Sequence, residues 1–103
     1  MSLDSITIPG SIVTVEGSLD SDEIFAFTIS TCMWCKKGKR WLENRGYQYS
    51  YLDIDKIPIE EKNLLKTELR RLFDVKPKFP FLVVNKTKFY SGYHPDSWEE
   101  MLQ

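Results

Sequence analysis

Side chains that bind metal ions are scarce in this chain, which has two cysteines and one histidine in 103 residues. A structural zinc site usually needs four Cys or His ligands, so the composition disfavours a metal centre. The net charge is only −1, which gives no bulk electrostatic support to nucleic-acid binding. No apolar run approaches the roughly 20 residues of a membrane span, and no basic segment followed by an apolar stretch predicts a secretory signal.

The overall composition is that of a folded domain. Apolar residues make up 42% and aromatic residues 14%, which is typical of a globular protein and not of a disordered one. A length of 103 residues predicts one domain with one sizeable core. We expect a cytoplasmic monomer that binds neither nucleic acid nor membrane.

The two cysteines, Cys32 and Cys35, are separated only by Met33 and Trp34. A disulfide that closes so short a loop restricts the unfolded chain very little, so it stabilises the fold poorly. The pair is better suited to a redox switch that opens and closes. Two alternatives stay open: cysteines with a purely structural role, and half of a zinc site. Such sparse cysteine usage fits a reducing compartment.

The residues around this pair favour the redox interpretation. Residues 24–29 form an apolar run typical of a buried strand, and residues 34–45 have helical spacing. A Cys-x-x-Cys pair between a strand and a helix is typical of thioredoxin-like redox motifs. The positive end of the helix dipole favours the thiolate of Cys32, and Lys36 and Lys37 add positive potential. We expect Cys32 to attack a substrate disulfide and the more shielded Cys35 to resolve the mixed disulfide.

The remaining periodicity predicts an α/β fold. After the first helix, which should end at Gly46, we expect strand 47–55, helix 58–73, strands 81–84 and 88–90, and helix 97–102. This order gives a four-stranded mixed sheet with about three helices covering both faces. We assign residues 23–103 to this domain and residues 1–22 to an N-terminal extension, in which residues 12–15 could add a short strand. The second helix carries an apolar stripe that we expect in the core: Leu64, Leu65, Leu69, Leu72 and Phe73.

Two features together resemble the thioredoxin fold: a Cys-x-x-Cys pair after an apolar strand, and a proline, Pro80, directly before another. The resemblance implies that Pro80 is cis and lies beside the cysteines. It also implies that Phe79 offers its main-chain groups to an extended substrate or to glutathione. An ordinary trans proline at a strand edge is the alternative.

Within this superfamily the chain is most similar to glutaredoxins. Thioredoxins carry a buried acid six residues before the first cysteine, where this chain has Ala26, whereas residues 43–47 resemble the glutaredoxin link into the second strand. The glutaredoxin positions that contact glutathione hold Thr28, Phe79 and the segment 91–96, and these differ from the family pattern. We therefore expect no tightly bound cofactor and keep a glutathione-dependent glutaredoxin as an alternative.

Residues 90–96, Tyr-Ser-Gly-Tyr-His-Pro-Asp, are similar to the C-terminal signature of the NrdH-redoxins, with His94 in place of an arginine. NrdH-redoxins are glutaredoxin-shaped proteins that behave like thioredoxins. The resemblance implies a reductase of protein disulfides that serves ribonucleotide reductase and takes electrons from an enzyme of the thioredoxin-reductase type. The candidate substrate-binding residues are Trp34, Phe79, Pro80, Gly92 and Tyr93.

Some alternatives remain open at this stage. His94 could lie near Cys32 and assist the thiol chemistry, or it could be a surface loop residue. The basic face of the first helix could dock an acidic partner or simply be solvated. An exposed Trp34 would serve docking, whereas we expect Trp41 and Trp98 in or near the core. In another functional class, the chain would be an iron–sulfur carrier or a redox-regulated adaptor.

Overall fold

A computed structural model describes residues 2–102 of the chain. A single mixed sheet forms its centre, with the strand order β1-β3-β2-β4-β5. The strands are β1 (Val13–Val15), β2 (Ile24–Thr28), β3 (Tyr49–Asp53), β4 (Phe81–Val84) and β5 (Lys88–Ser91). The helices are α1 (Met33–Asn44), α2 (Ile59–Phe73) and α3 (Pro95–Met101), with short 3-10 turns at Leu3–Ser5 and Ile54–Lys56.

The central strand β2 runs parallel to β3 and antiparallel to β4. The expected thioredoxin fold is confirmed, and the sheet has a fifth strand, β1, within residues 12–15, where a short additional strand was left open. The N-terminal extension supplies β1, which pairs antiparallel with β3 and places Val13 opposite Tyr51. Without β1, the backbone groups along that edge of β3 would lack a partner in the sheet. A side-chain hydrogen bond of 2.9 Å between Thr14 Oγ1 and Ser50 Oγ accompanies the pairing.

The sheet separates two apolar clusters, as expected for helices on both faces. Helix α2 covers one face, where its leucines pack with Phe27, Leu52 and Phe81. Helices α1 and α3 cover the other face, where Trp41 and Trp98 join a second cluster. All four residues of β4 are buried, because its alternating side chains enter the two clusters in turn. Trp41 and Trp98 are therefore core residues, as predicted.

Two local expectations about the helices are wrong. The apolar stripe of α2 is narrower than predicted, since Leu64 is 62% exposed while its neighbour Leu65 is buried. One helical position is a rotation of about 100°, enough to turn Leu64 away from the sheet. Helix α3 begins at Pro95, two residues earlier than expected, because His94 caps it. Among residues 2–102, no helix combines the length and the apolar character needed to span a bilayer.

Candidate active site

Cys32 is the N-cap residue of α1. Its Sγ accepts a hydrogen bond of 3.3 Å from the backbone N–H of Cys35, and its carbonyl accepts the N–H of Lys36 at 3.1 Å. The first N–H groups of a helix have no partner within the helix, so a sulfur at this position satisfies one of them. Because Cys32 is also partly exposed, its sulfur is accessible to a substrate disulfide.

Cys35 lies within the first turn of α1 and is fully buried. Its Sγ accepts the backbone N–H of Ile29 at 3.4 Å. Burial first, and then the hydrogen bond with Cys32, raise the pKa of the Cys35 thiol, whereas the Ile29 N–H and the charge of Lys39 lower it; together these effects bring the pKa to about 12. Both thiols are free. The pair therefore consists of one accessible sulfur and one shielded, protonated thiol.

The peptide bond between Phe79 and Pro80 is cis, so the expected isomer is confirmed and the trans alternative is wrong. The carbonyl oxygen of Phe79 lies 3.9 Å from the Sγ of Cys32, within reach of the thiol hydrogen. Gly38 of α1 is in close contact with the Pro80 ring, since a methyl group at Gly38 would lie only 3.2 Å from Pro80 Cγ. The proline loop and the start of α1 thus form one unit around Cys32.

An open groove of about 320 Å³ lies on the outer side of this unit. Trp34 is 55% exposed and forms one wall, with its ring 6.3 Å from the ring of Tyr93. The groove brings together four of the five predicted substrate-binding residues, and Pro80 is buried beside it. The residues that line the groove are Trp34, Lys78, Phe79, Tyr90, Ser91, Gly92, Tyr93 and His94. Its dimensions suit an extended segment of substrate better than an enclosed ligand.

Of the three predicted thiolate stabilisers, His94 and Lys37 have side-chain contacts elsewhere, and Lys36 is exposed. His94 Nδ1 accepts the backbone N–H of Ser97 at 3.3 Å and lies 2.9 Å from the Ser97 hydroxyl, so this nitrogen caps α3. Lys37 Nζ lies 4.7 Å from the centre of the Trp34 ring, and Lys36 is exposed. Within residues 2–102, the hydrogen bonds found for the His94 side chain both involve Ser97, and its backbone carbonyl accepts the N–H of Trp98 at 2.9 Å. The geometry thus gives His94 a structural role at the edge of the groove.

Sequence reasoning missed a polar cluster behind the thiols. Asp53, at the end of β3, accepts a hydrogen bond of 2.6 Å from Thr28 Oγ1 and forms an ion pair of 3.2 Å with Lys39 Nζ. Lys39 follows Cys35 by four residues on α1, a spacing that places both on one helix face and that was visible in the sequence. The position of Asp53 could not be read from the sequence, because it depends on the pairing of Thr28 with Asp53 between the parallel strands β2 and β3.

A second pair supports the loop before Cys32. The Asp55 carboxylate accepts hydrogen bonds from both the hydroxyl and the backbone N–H of Ser30, the latter at 2.9 Å. These two bonds hold the pKa of Asp55 below its usual range. Among residues 2–102, no three His, Cys, Asp or Glu side chains are arranged to hold a metal ion.

Comparison with known proteins identifies the family. The family model described as Glutaredoxin matches residues 24–89, which include both cysteines and the proline loop. The chain belongs to the glutaredoxin family. It is a thiol–disulfide oxidoreductase, and its family typically works through redox-active cysteines without a tightly bound cofactor.

Individual glutaredoxins and related proteins agree with this assignment. The glutaredoxin-like protein NrdH of Escherichia coli is 27% identical over 73 residues, which cover 71% of this chain and 80% of that protein. The crystal structure of a glutaredoxin from Methanosarcina mazei Go1 superposes with a TM-score of 0.74 at 28% identity, covering 88% of this chain and 86% of the other. Methanosarcina acetivorans methanoredoxin gives a TM-score of 0.70 at 30% identity, with coverages of 84% and 88%.

Proposed function

We propose that this glutaredoxin reduces disulfides in proteins by a dithiol mechanism carried by its Cys-Met-Trp-Cys motif. The observation that carries the proposal is the asymmetry of the pair. Cys32 is partly exposed at the helix N-cap, whereas Cys35 is buried one turn further in and donates its backbone N–H to the Cys32 sulfur at 3.3 Å. A nucleophile must meet its substrate, and a resolving thiol must wait where external disulfides do not reach it.

The reaction consists of two thiol–disulfide exchanges. The Cys32 thiolate attacks one sulfur of the substrate, a mixed disulfide forms, and the first substrate thiolate leaves and takes a proton from water. Cys35 then loses its proton and attacks the Cys32 sulfur, which expels the second substrate thiolate. Two electrons have passed to the substrate, and the enzyme ends with a disulfide between Cys32 and Cys35. An external dithiol donor must reduce that disulfide before the next turnover.

The groove beside Cys32 supports a protein or peptide substrate. An extended segment that lies along the groove would pass the main chain of Phe79, whose carbonyl oxygen is 3.9 Å from the Cys32 sulfur. Pro80 lies in this loop and its carbonyl accepts the N–H of Gly92 at 3.0 Å, while Tyr93 lies beside Trp34. Trp34 offers a half-exposed aromatic surface to the partner, a residue type enriched at binding hot spots.

The finer proposal is that the partners match those of NrdH-redoxins. Ribonucleotide reductase would be the disulfide substrate, an enzyme of the thioredoxin-reductase type would be the donor, and the protein would act as a monomer in the cytoplasm. The resemblance of residues 90–96 to the NrdH-redoxin signature supports this proposal, together with the 27% identity to the E. coli protein NrdH. Thr28 is buried and bonded to Asp53, so it is not available to a bound glutathione.

A disulfide-reduction assay driven by two electron sources tests the proposal. One assay uses NADPH with thioredoxin reductase, and the other uses glutathione with glutathione reductase. We expect turnover with the first and little with the second. Turnover with glutathione alone would instead make the protein a glutathione-dependent glutaredoxin. No turnover with either, in a protein whose Cys32 still reacts with an alkylating reagent, would favour the adaptor.

Two cysteine variants test the order of attack. We expect Cys32→Ser to abolish turnover and Cys35→Ser to accumulate a mixed disulfide with the substrate, which mass spectrometry detects as an adduct. If Cys35→Ser forms no adduct under conditions in which the wild type turns over, the assigned order of attack is wrong. An iron–sulfur carrier predicts visible absorbance in the purified protein, so a colourless preparation contradicts that alternative.

A tryptophan variant tests the docking surface separately. We expect Trp34→Ala to raise KM for a protein disulfide about tenfold, in line with the roughly 1–2 kcal/mol that a partly buried aromatic contact contributes. The rate with a small aromatic disulfide should change little, because that substrate does not cover the groove wall. Leu64→Ala is the matched control, since Leu64 is a similarly exposed apolar residue on α2. Equal effects on protein and small disulfides would contradict a docking role.

A further inference from the structure

One lysine of α1, Lys39, is held in place by side chains of the sheet. Lys39 lies one helical turn after Cys35, so the two side chains share a face of α1. Its side chain is only 19% exposed and the side chain of its partner Asp53 only 10%, with 3.2 Å between Lys39 Nζ and Asp53 Oδ1. Surface ion pairs with lysine are usually mobile and contribute little to stability. This pair is shielded, which sets it apart from the other lysines of the helix.

Further contacts fix the ammonium group of Lys39. Asp53 is anchored by the 2.6 Å hydrogen bond from the buried Thr28 hydroxyl, on the neighbouring strand. Lys39 Nζ also lies 3.7 Å from the centre of the Tyr51 ring, within the range of a cation–π contact. Two strands thus contribute three side chains to hold a single charge at the base of α1.

We propose that Lys39 is a positioning residue that makes the Cys35 thiolate easier to form during resolution of the mixed disulfide. This inference rests on the proposed dithiol mechanism. In that step Cys35 gives its proton to water, a bond forms between the Cys35 and Cys32 sulfurs, and the bond between Cys32 and the substrate sulfur breaks. The electron pair leaves with the substrate thiolate. Lys39 keeps its proton throughout and acts only through its charge.

The need for such a charge follows from the burial of Cys35. Desolvation disfavours the thiolate and raises the pKa of Cys35, whereas the hydrogen bond from the Ile29 N–H and, after it, the charge of Lys39 lower it. The charged or titratable groups around this region come from each adjoining element: Cys32 at the helix cap, Lys39 on α1, Asp53 on β3, and Lys56, 3.8 Å from Asp53 Oδ2, in the turn after β3. Lys39 is the cation of this set that shares the helix face of Cys35.

A two-step reaction with an equimolar aromatic disulfide, dithiobis(nitrobenzoate), measures the attack by Cys32 and the attack by Cys35 separately. Attack by Cys32 releases the first coloured thiolate, and attack by Cys35 on the mixed disulfide releases the second. We expect Lys39→Met to leave the first phase unchanged and to slow the second about threefold across pH 7 to 9. Each unit added to the pKa of Cys35 cuts its thiolate fraction tenfold, while the higher nucleophilicity of a more basic thiolate restores about threefold, a net loss of about threefold.

Two further variants separate charge from structure. Lys39→Arg keeps the charge and should restore most of the second phase. Lys88→Met removes the same charge at the far end of the sheet, beside Val84, and should leave both phases unchanged. A second phase that is equally fast in Lys39→Met and in the wild type overturns the inference. So does a second phase that is slowed equally in Lys39→Met and Lys39→Arg, because packing and not charge would then be responsible.

The same assay distinguishes a failure of the proposed dithiol mechanism from a failure of the proposed role of Lys39. If the wild-type protein releases only one coloured thiolate, Cys35 does not resolve the mixed disulfide and the dithiol mechanism itself is wrong. If the wild type releases two in sequence and Lys39→Met does the same at the same rates, only the role of Lys39 is refuted. Thermal unfolding of each variant shows whether it is folded at the assay temperature.

Discussion

Replacing Gly38 by alanine tests how closely α1 packs against the proline loop. A methyl group there would lie 2.8 Å from Trp98 Cη2, 3.2 Å from Pro80 Cγ and 3.3 Å from Trp98 Cζ3. Neither neighbour has room to withdraw. Trp98 is fully buried and donates its indole N–H to the Gly92 carbonyl at 3.1 Å, with its ring edge against Trp41 and Tyr93. Gly38→Ala therefore forces α1 away from the loop.

Two opposing contributions determine how much Gly38→Ala changes the free energy of unfolding. Alanine is favoured over glycine in a helix interior by about 1 kcal/mol. Adding a methyl group to a packed core costs about 1–3 kcal/mol. Since the shortest contact at Gly38 is 2.8 Å and both neighbours are buried, we take the upper part of that range. The net effect is a destabilisation of about 1–2 kcal/mol, which lowers Tm by roughly 5–10 °C in a domain of this size.

Thermal unfolding followed by circular dichroism measures this change. Arg40→Ala is the control, because Arg40 is exposed on the same helix and its replacement introduces alanine without a steric conflict. We expect the control to stay within about 0.5 kcal/mol of the wild type. The displaced helix also moves Cys32 relative to Phe79, so Gly38→Ala should reduce protein disulfides more slowly. A Tm for Gly38→Ala equal to or above the wild type would refute the packing that we describe.

Two further predictions concern side chains near the site. His94→Ala should lower the free energy of unfolding by about 1 kcal/mol, measured with denaturant, because the α3 cap is lost. His94→Asn can still cap the helix, so it should keep both the stability and the reductase rate. A large loss of rate in His94→Asn would instead show that His94 takes part in the chemistry. The hydrogen bonds from Ser30 lower the pKa of Asp55 in the folded protein. The ionised carboxylate therefore stabilises the fold at pH values above the unfolded-state pKa of about 4, and this stabilisation is lost as the pH falls through the lower pKa of the folded state. Ser30→Ala should therefore be less stable than the wild type at pH 7, with a smaller difference at pH 3 in urea unfolding.

The redox motif was predictable because its signals are local. An apolar run, two cysteines at fixed spacing and a helical pattern occupy residues 24–45, and each follows from neighbours in the sequence. The cis geometry of Pro80 was predictable only through the resemblance to the thioredoxin fold. A single proline before a strand fits either isomer as far as its own neighbours are concerned.

The features that were missed depend on contacts between distant segments. The pairing of β1 with β3 joins residues 13–15 to residues 49–51, and a run of three strand-forming residues does not specify that partner. The ion pair between Lys39 and Asp53 likewise requires α1 to lie over the end of β3. His94 was considered for its chemistry because of its residue type, whereas its capping bond depends on where α3 begins.

Charges of opposite sign lie at the two ends of β2, and the positive end is the one that carries the thiols. Three acids precede the strand, the exposed Asp20 and Glu23 and the partly buried Asp22, while the thiols and the exposed cations of α1 follow it. A strand of five residues separates the two ends by roughly 15 Å, well beyond the Debye length of about 8 Å at physiological ionic strength. Because the acids at the far end are screened, a partner that approaches Cys32 meets the nearby charges, which are the cations of α1 and the Asp55 carboxylate bound to Ser30. Since the exposed cations at the start of α1 outnumber that carboxylate, we propose that an acidic protein segment docks on Trp34 and α1.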